Sequence, residues 1–206
     1  MKGKFVTFEG SEGCGKSTQS KLLYEYLKKK GCSVLYLREP GGTRISEKIR
    51  EILLSPENHM NPVCETLVYM AARAQIVDQI IKPALIKGRI VICDRFLDST
   101  IAYQGYGLGI DIHFIKSVGW FVSGGIKPNL TIFLDLPVKI GLKHRESSRD
   151  RIEKRSINYH QRVRNGYLKL AKQEPKRIKI IKVDKDMGIT QKNIRALIDK
   201  YVIPRY

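Results

Sequence analysis

The string Gly10-Ser11-Glu12-Gly13-Cys14-Gly15-Lys16-Ser17 has the spacing G-x-x-x-x-G-K-[ST], and it stands between a strand-like run, Phe5-Val6-Thr7-Phe8, and the start of a helical pattern. Glycines at these positions let successive backbone N–H groups turn inward around phosphate oxygens, and the N-terminus of a helix adds positive potential. Lys16 is then placed to bridge the β- and γ-phosphates and Ser17 to offer its hydroxyl to a magnesium ion, while Gly10, Ser11, Glu12, Gly13, Cys14, Gly15 and Thr18 complete the cradle. Background residue frequencies allow such a string by chance in on the order of one chain in a hundred. Its position between strand and helix makes chance a poorer account, and nucleoside-triphosphate binding is the expectation.

A loop of this kind identifies a phosphoryl donor and leaves the acceptor open, because ATPases, GTPases and small-molecule kinases share it. The base-reading string Asn-Lys-x-Asp of GTPases is not in the sequence. Two later apolar strands end in Cys93-Asp94-Arg95 and Leu134-Asp135-Leu136-Pro137, where a motor ATPase would usually carry paired acids. An Asp followed at once by Arg suits a different task. Asp94 can orient a magnesium shell through water while Arg95 grips an acceptor phosphate.

Tyr69 and Arg73, four apart in a helical stretch, share a face that could stack a base and read its edge. On their own they are more simply a core tyrosine and a helix ion pair. Thr100 and Gln104, with Ser99 and Tyr103, make a second polar face, which alone would be an ordinary helix start capped by Asp98 or Ser99. The variable positions of the glycine-rich loop carry no cation, so transfer needs positive charge from elsewhere. The polar segment His144-Arg145-Glu146-Ser147-Ser148-Arg149-Asp150-Arg151 can supply it through Arg145, Arg149 or Arg151, closing over ATP as a lid at about residues 143–155. The bland reading is an exposed charged loop with weak ion pairs.

The elements that must position these residues alternate between apolar, β-branched runs and longer amphipathic stretches. Strands are expected at 4–8, 33–37, 90–93, 130–134 and 178–183, and helices at 16–29, 45–54, 63–86, 98–103, 111–122, 138–144, 157–173 and 190–201. Three of the strands are almost continuously apolar, as strands covered on both faces must be. The expected architecture is an α/β P-loop NTPase fold, a five-stranded parallel sheet with helices on both faces, in one domain spanning 1–206 with ligands at the carboxyl ends of the strands.

Composition narrows the partners. A net charge of +18 would ordinarily raise nucleic acid as a partner, yet the charge is dispersed along the chain without aromatic residues interleaved in a basic stretch, so nucleic acid is not expected as the primary partner. No apolar run approaches the roughly 18 residues of a membrane span, and no secretory leader pattern opens the chain. Cys14, Cys32, Cys64 and Cys93 are scattered, with no metal-ligand spacing among cysteines and histidines, which suits free thiols in the cytoplasm.

Several strings together resemble thymidylate kinase: Arg38-Glu39-Pro40-Gly41-Gly42-Thr43, Ala71-Ala72-Arg73, Asp94-Arg95-Phe96 with Ser99 and Ala102-Tyr103-Gln104, and Asp150-Arg151-Ile152-Glu153, in the family's order between residues 5 and about 170. The resemblance implies transfer of the γ-phosphoryl of ATP to dTMP with Mg2+. It further implies that Tyr69 stacks on thymine, Arg73 donates to its O4 edge, and Thr100 with Gln104 completes the base contacts. Arg95 and Arg50 would hold the acceptor phosphate, Glu12 would approach the 3′-hydroxyl, Tyr103 would crowd the 2′ position, and Glu39 would join the acceptor site. A homodimer is implied, as is the bacterial type of the family, in which the extra cation comes from the lid. Phe96 replaces the family's usual Tyr or His, Leu108 stands where many members carry Arg, and the lid is short. Another nucleotide or nucleoside kinase is the nearer alternative and a P-loop nucleic-acid-binding protein the more distant one. A nucleoside acceptor would need a general base, whereas Arg95 and Arg50 suit a monophosphate.

Overall fold

In the computed structural model of the chain, which describes residues 2–144 and 150–203, five strands form one sheet: β1 (Lys4–Glu9), β2 (Val34–Arg38), β3 (Ile90–Asp94), β4 (Leu130–Asp135) and β5 (Ile178–Lys182). Their order is β2-β3-β1-β4-β5 and every pairing is parallel, with Phe5 opposite Val91 and Val6 opposite Leu130. The glycine-rich loop therefore leaves the central strand, and the functional strings after β3, its neighbour, and β2, the next strand out, leave the same edge of the sheet.

Nine α-helical segments are described: α1 (Lys16–Lys29), α2 (Arg44–Leu54), α3 (Pro62–Ile76), α4 (Lys82–Ile86), α5 (Leu97–Thr100), α6 (Ile112–Val122), α7 (Val138–Lys143), α8 (Ile157–Gln173) and α9 (Met187–Tyr201). Helices α1 and α9 cover one face, where Leu23, Leu27, Ile194 and Ile198 meet Val6, Phe8, Ile92, Ile132 and Leu134. On the other face Ile76, Ile81 and Leu85 pack on Phe5, Val91 and Cys93, and Val163, Tyr167 and Leu170 on Phe133 and Ile178. Burying each such side chain is worth roughly 1.5–3 kcal/mol.

Three helices differ from the expected spans. The stretch 63–86 is not one α-helix: α3 passes through a π-helical segment, Val77–Ile81, into α4. Residues 98–103 begin as α5 and continue as a second π-helical segment, Ile101–Gly107. An apolar period reports which side faces the core and is blind to one wide turn. The last helix starts at Met187 rather than 190, because the Asp186 side chain accepts from the Gly188 N–H (2.7 Å) and caps it earlier than the apolar pattern suggests.

Capping separates α1 from the other long helices. Thr43, Asn61, Asp111, Ser156 and Asp186 each accept a backbone N–H at the start of α2, α3, α6, α8 and α9. Helix α1 has no side-chain cap and no acidic residue in its first turn, and Gly15 precedes it at φ 87°. Its N-terminal donors stay turned toward whatever lies beyond the loop.

Candidate active site

At the carboxyl ends of β1, β2 and β3 lies a cleft of about 390 Å3, within the usual size range of small-molecule sites. It gathers Glu12, Gly13, Gly15, Lys16, Ser17 and Thr18 with Glu39, Arg50, Tyr69, Arg73, Asp94, Arg95, Thr100, Tyr103 and Gln104.

On the loop side, Lys16 Nζ donates to the Ser11 carbonyl (2.8 Å), drawn back over the loop, and lies 3.7 Å from Cys14 Sγ. The Ser17 hydroxyl donates to Asp94 Oδ2 (2.5 Å), joining the first turn of α1 to the end of β3. Backbone meets backbone where α7 crosses the loop. A Cβ on Gly13 would sit 1.9 Å from the Gly141 carbonyl oxygen, and one on Gly141 would sit 2.2 Å from that of Glu12. Gly10, Ser11 and Cys14 support the loop from behind and do not line the cleft.

Arg95 occupies the middle. Its φ of 73° is the one left-handed value at a non-glycine position among the described residues. A conformation of this kind costs about 1–3 kcal/mol and persists only where its surroundings enforce it. Here the Arg95 N–H donates to the Phe8 carbonyl (2.9 Å) and the next N–H, of Phe96, donates to Glu9 Oε1 (2.8 Å). The guanidinium is thereby swung over the glycine-rich loop. It donates to Glu12 Oε1 (2.8 Å), Tyr103 Oη (3.1 Å), Ser99 Oγ (3.2 Å) and the Gly10 carbonyl (3.2 Å). Tyr103 Oη in turn donates to Glu12 Oε1 (2.6 Å).

Burial alone would raise the Glu12 pKa, but Arg95, then Lys16 and the Tyr103 hydroxyl, outweigh it and hold the carboxyl down at about 2. Burial would lower the Arg95 pKa, and the facing Glu12 carboxylate instead raises it well above the ordinary value. Glu9 behaves in the opposite way to Glu12. Burial, and next the nearby Asp98 carboxylate, lift it to about 7 despite hydrogen bonds from Ser99 (2.6 Å) and Tyr167 (3.0 Å).

The far wall is made of buried polar side chains. Arg73 is 2% exposed; its Nε donates to Glu39 Oε2 (2.9 Å) and its Nη1 to Thr100 Oγ1 (3.0 Å), with the guanidinium 5.2 Å above the Phe96 ring. The other Glu39 oxygen, Oε1, is buried without a partner, and desolvation raises the carboxyl's pKa against the pull of Arg73. Gln104 Nε2 donates to Glu65 Oε1 (2.8 Å). Arg50 Nη1 donates to the Pro40 carbonyl (3.0 Å); burial, and then Arg38, lower its pKa. Tyr69 lines the same wall with its phenol pKa raised by burial. An aromatic face, a fork of donors and an amide here face a loop built to hold phosphates, an arrangement able to seat two nucleotides end to end.

Arg151 does not line this cleft. Its Nε donates to the Leu53 carbonyl (2.8 Å) and its Nη1 pairs with Glu65 (2.7 Å), beneath the far wall. Arg145 and Arg149 lie outside the described residues, as does the middle of the 143–155 segment. Four residues that the sequence reading did not single out shape the site: Glu9, Glu65, Arg155 and Tyr167. Glu65, Tyr69 and Arg73 recur every four residues along one side of α3, so helical spacing carried a signal for Glu65. Glu9 and Tyr167 meet only through folding, across 158 positions.

A family model described as thymidylate kinase matches residues 8–194. A protein named thymidylate kinase from Thermoanaerobacter sp. (strain X514) is 45% identical over 98% of this chain and 100% of its own length. Another, from Geotalea daltonii, is 48% identical over 98% of both. Among solved structures, a thymidylate kinase from Ehrlichia chaffeensis superposes with a TM-score of 0.80 at 35% identity, covering 95% of this chain and 98% of that one.

Proposed function

The chain belongs to the thymidylate kinase family, and we propose from that premise how its own residues divide the work of phosphorylating dTMP. It transfers the γ-phosphoryl of ATP to dTMP, giving dTDP and ADP, a step of dTTP synthesis. A phosphate oxygen of dTMP forms the new bond to the γ-phosphorus while the bond from that phosphorus to the β–γ bridging oxygen breaks, leaving the electron pair on ADP. The attacking oxygen is already anionic, so no general base is required; what must be supplied is alignment and positive charge.

The observation that carries this reading is the meeting, in one cleft, of Lys16 and Ser17 with Arg95 and with the wall of Tyr69, Arg73 and Gln104. Lys16 leaves the Ser11 carbonyl for the β- and γ-phosphates of ATP. Arg95 and Arg50 take the dTMP phosphate, with Glu12 and Tyr103 positioned against the sugar. Tyr69 stacks on thymine, Arg73 and Thr100 read its edge with Gln104, and Glu39 keeps Arg73 in place. The Ser17 hydroxyl and Asp94 carboxylate form an oxygen pair that suits a hard cation bound partly through water and phosphate. Mg2+ held there would neutralise charge on the β- and γ-phosphate oxygens. The lid at about residues 143–155 supplies the remaining charge through Arg145 or Arg149, with Arg151 anchoring its far end.

A homodimer is supported by exposed apolar side chains on three helices packed in series, Ile45 and Ile52 on α2, Val63 and Leu67 on α3, and Trp120 and Phe121 on α6. Sedimentation of the wild type against Phe121→Lys tests it, the substitution being expected to give monomers. No helix is long and apolar enough to cross a membrane, and four free cysteines support a cytoplasmic location.

The deciding assay is ADP release from Mg-ATP with dTMP, dUMP, dGMP, dCMP, AMP, UMP and thymidine, using Lys16→Ala as the blank. Preference for dTMP is expected. Turnover of another monophosphate in its place would overturn the roles given to Tyr69, Arg73 and Gln104.

A further inference from the structure

Beneath the acceptor wall a single carboxylate is held by three side chains from two parts of the chain. Glu65, 0% exposed, accepts Gln104 Nε2 on Oε1 (2.8 Å), while Oε2 takes Arg151 Nη1 (2.7 Å) and Arg155 Nη2 (2.6 Å). Resting on the base site read above, we propose that Glu65 is a positioning residue that fixes the direction of the Gln104 amide, and so makes the site select a pyrimidine carrying a hydrogen on N3 over one with a bare N3.

A glutamine side chain can present either its NH2 or its carbonyl to a neighbour, and nothing in its own shape decides between them. A carboxylate has no hydrogen to give, so the face that Gln104 turns to Glu65 must be the NH2. The carbonyl oxygen is left for the cleft, which Gln104 lines. Arg151 and Arg155 keep the carboxylate from rotating away, and Arg155 is itself steadied by donating to Tyr159 Oη (2.8 Å). On the same wall Arg73 has Nε and Nη1 occupied by Glu39 and Thr100, which leaves a guanidinium N–H as what it can offer a ligand. Between them Arg73 and Gln104 thus present a donor and an acceptor. Thymine and uracil complement it with the O4 acceptor and the N3–H donor, whereas cytosine places an NH2 and a bare N3 there, mismatched at both. Arg73 reads only the first of these positions; the second depends on the direction of the Gln104 amide.

Glu65→Gln tests the inference. A glutamine at 65 can donate as well as accept, so Gln104 is free to turn its NH2 toward the cleft. The ratio of kcat/KM for dTMP to that for dCMP is expected to fall by roughly 10-fold or more, through the acceptor KM, with the ATP KM unchanged. If the variant folds and loses activity on both acceptors equally, the ratio standing where it was, Glu65 is a structural anchor and the inference is wrong. Should Glu65→Gln fail to fold, Glu65→Asp keeps the charge for the two arginines but withdraws it by one methylene from Gln104. The same fall in ratio is expected there, and an unchanged ratio would overturn the inference equally. A wild type that does not prefer dTMP to dCMP would instead overturn the reading of the base site beneath it.

Discussion

At the donor end of the cleft the lining is largely backbone, with Lys16 and Ser17 added to it, and at the acceptor end it is made of side chains. The donor end is a run of glycines and the uncapped start of α1, stiffened by contact between the Gly13 and Gly141 backbones. The acceptor end is a set of buried pairs, Arg73 with Glu39, Gln104 with Glu65, and Arg95 with Glu12. Backbone N–H groups are identical from residue to residue, so such a cradle holds any polyphosphate and distinguishes none. Discrimination needs donors and acceptors placed singly, and each must be fixed by a partner of its own. That is why the side of the cleft that recognises carries carboxylates paired with donors of their own, whereas the buried cation of the holding side, Lys16, rests on a backbone carbonyl.

Substitutions should separate the two ends. The largest effect is expected where both serve the same reacting group. Lys16→Ala and Arg95→Ala should each lower kcat by on the order of 10³-fold with the melting curve of the Lys16 variant little changed. Retention of kcat in either would remove that residue from charge stabilisation. Arg73→Ala strands Glu39 as a buried, unpaired carboxylate, and breaking such a pair costs about 3–5 kcal/mol, measurable by urea unfolding. Its kinetic signature should be a rise in the dTMP KM with the ATP KM left in place; equal rises would count against Arg73 as a base reader.

Glu9, under the junction of the two ends, gives a pH signature. Its pKa is raised on folding, from 4.5 to about 7, so its contribution favours the folded chain fully below pH 4.5 and is lost as pH rises through 7. The shift converts to at most roughly 3 kcal/mol. Glu12, held at about 2, contributes in the other sense, its stabilisation being present above pH 4.5 and lost toward pH 2, so the two do not overlap. Glu9→Gln should therefore flatten the fall in stability between pH 4.5 and 7, and an unaltered slope in thermal melts at several pH values would exclude Glu9 as its source. The smallest effect is expected from Gly13→Ala. The added methyl meets the Gly141 carbonyl in a backbone at φ 68°, an overpacking cost of about 1–3 kcal/mol. The ATP KM should rise while the dTMP KM stays where it was, the mirror image of Arg73→Ala.

The same division decides what could be read before folding. The donor loop is eight contiguous residues, so its chemistry lies in the string itself, and the strands around it announce themselves by continuous apolar character. Arg73 is ambiguous by contrast, because its partners are Glu39, 34 positions away, and Thr100, 27 away, which a four-residue spacing does not report. Glu65 shared the four-residue spacing of Tyr69 and Arg73, yet its meaning comes from Gln104 and Arg155, at 39 and 90 positions. The left-handed backbone of Arg95 had no signal at all, since no glycine or asparagine stands there to suggest it. The wide turns at 77–81 and 101–107 were invisible for the reason already given, that an apolar period follows a face and not a hydrogen-bond ladder.

The second of those wide turns bears on how such a chain tolerates gain and loss of residues. A π-helical turn accommodates one residue more than an α-helical turn, as an insertion into an existing helix would. Removing a residue between 101 and 107 would restore the ordinary ladder and leave the chain beyond nearly in phase, while side chains within the turn would move by up to one position, about 100°, relative to Ser99 and Thr100. Tyr103 and Gln104 both lie in that turn, so the shorter chain would have a more regular helix and an acceptor site whose two halves no longer face each other. Regularity of the helix and competence of the site thus pull this stretch toward different lengths.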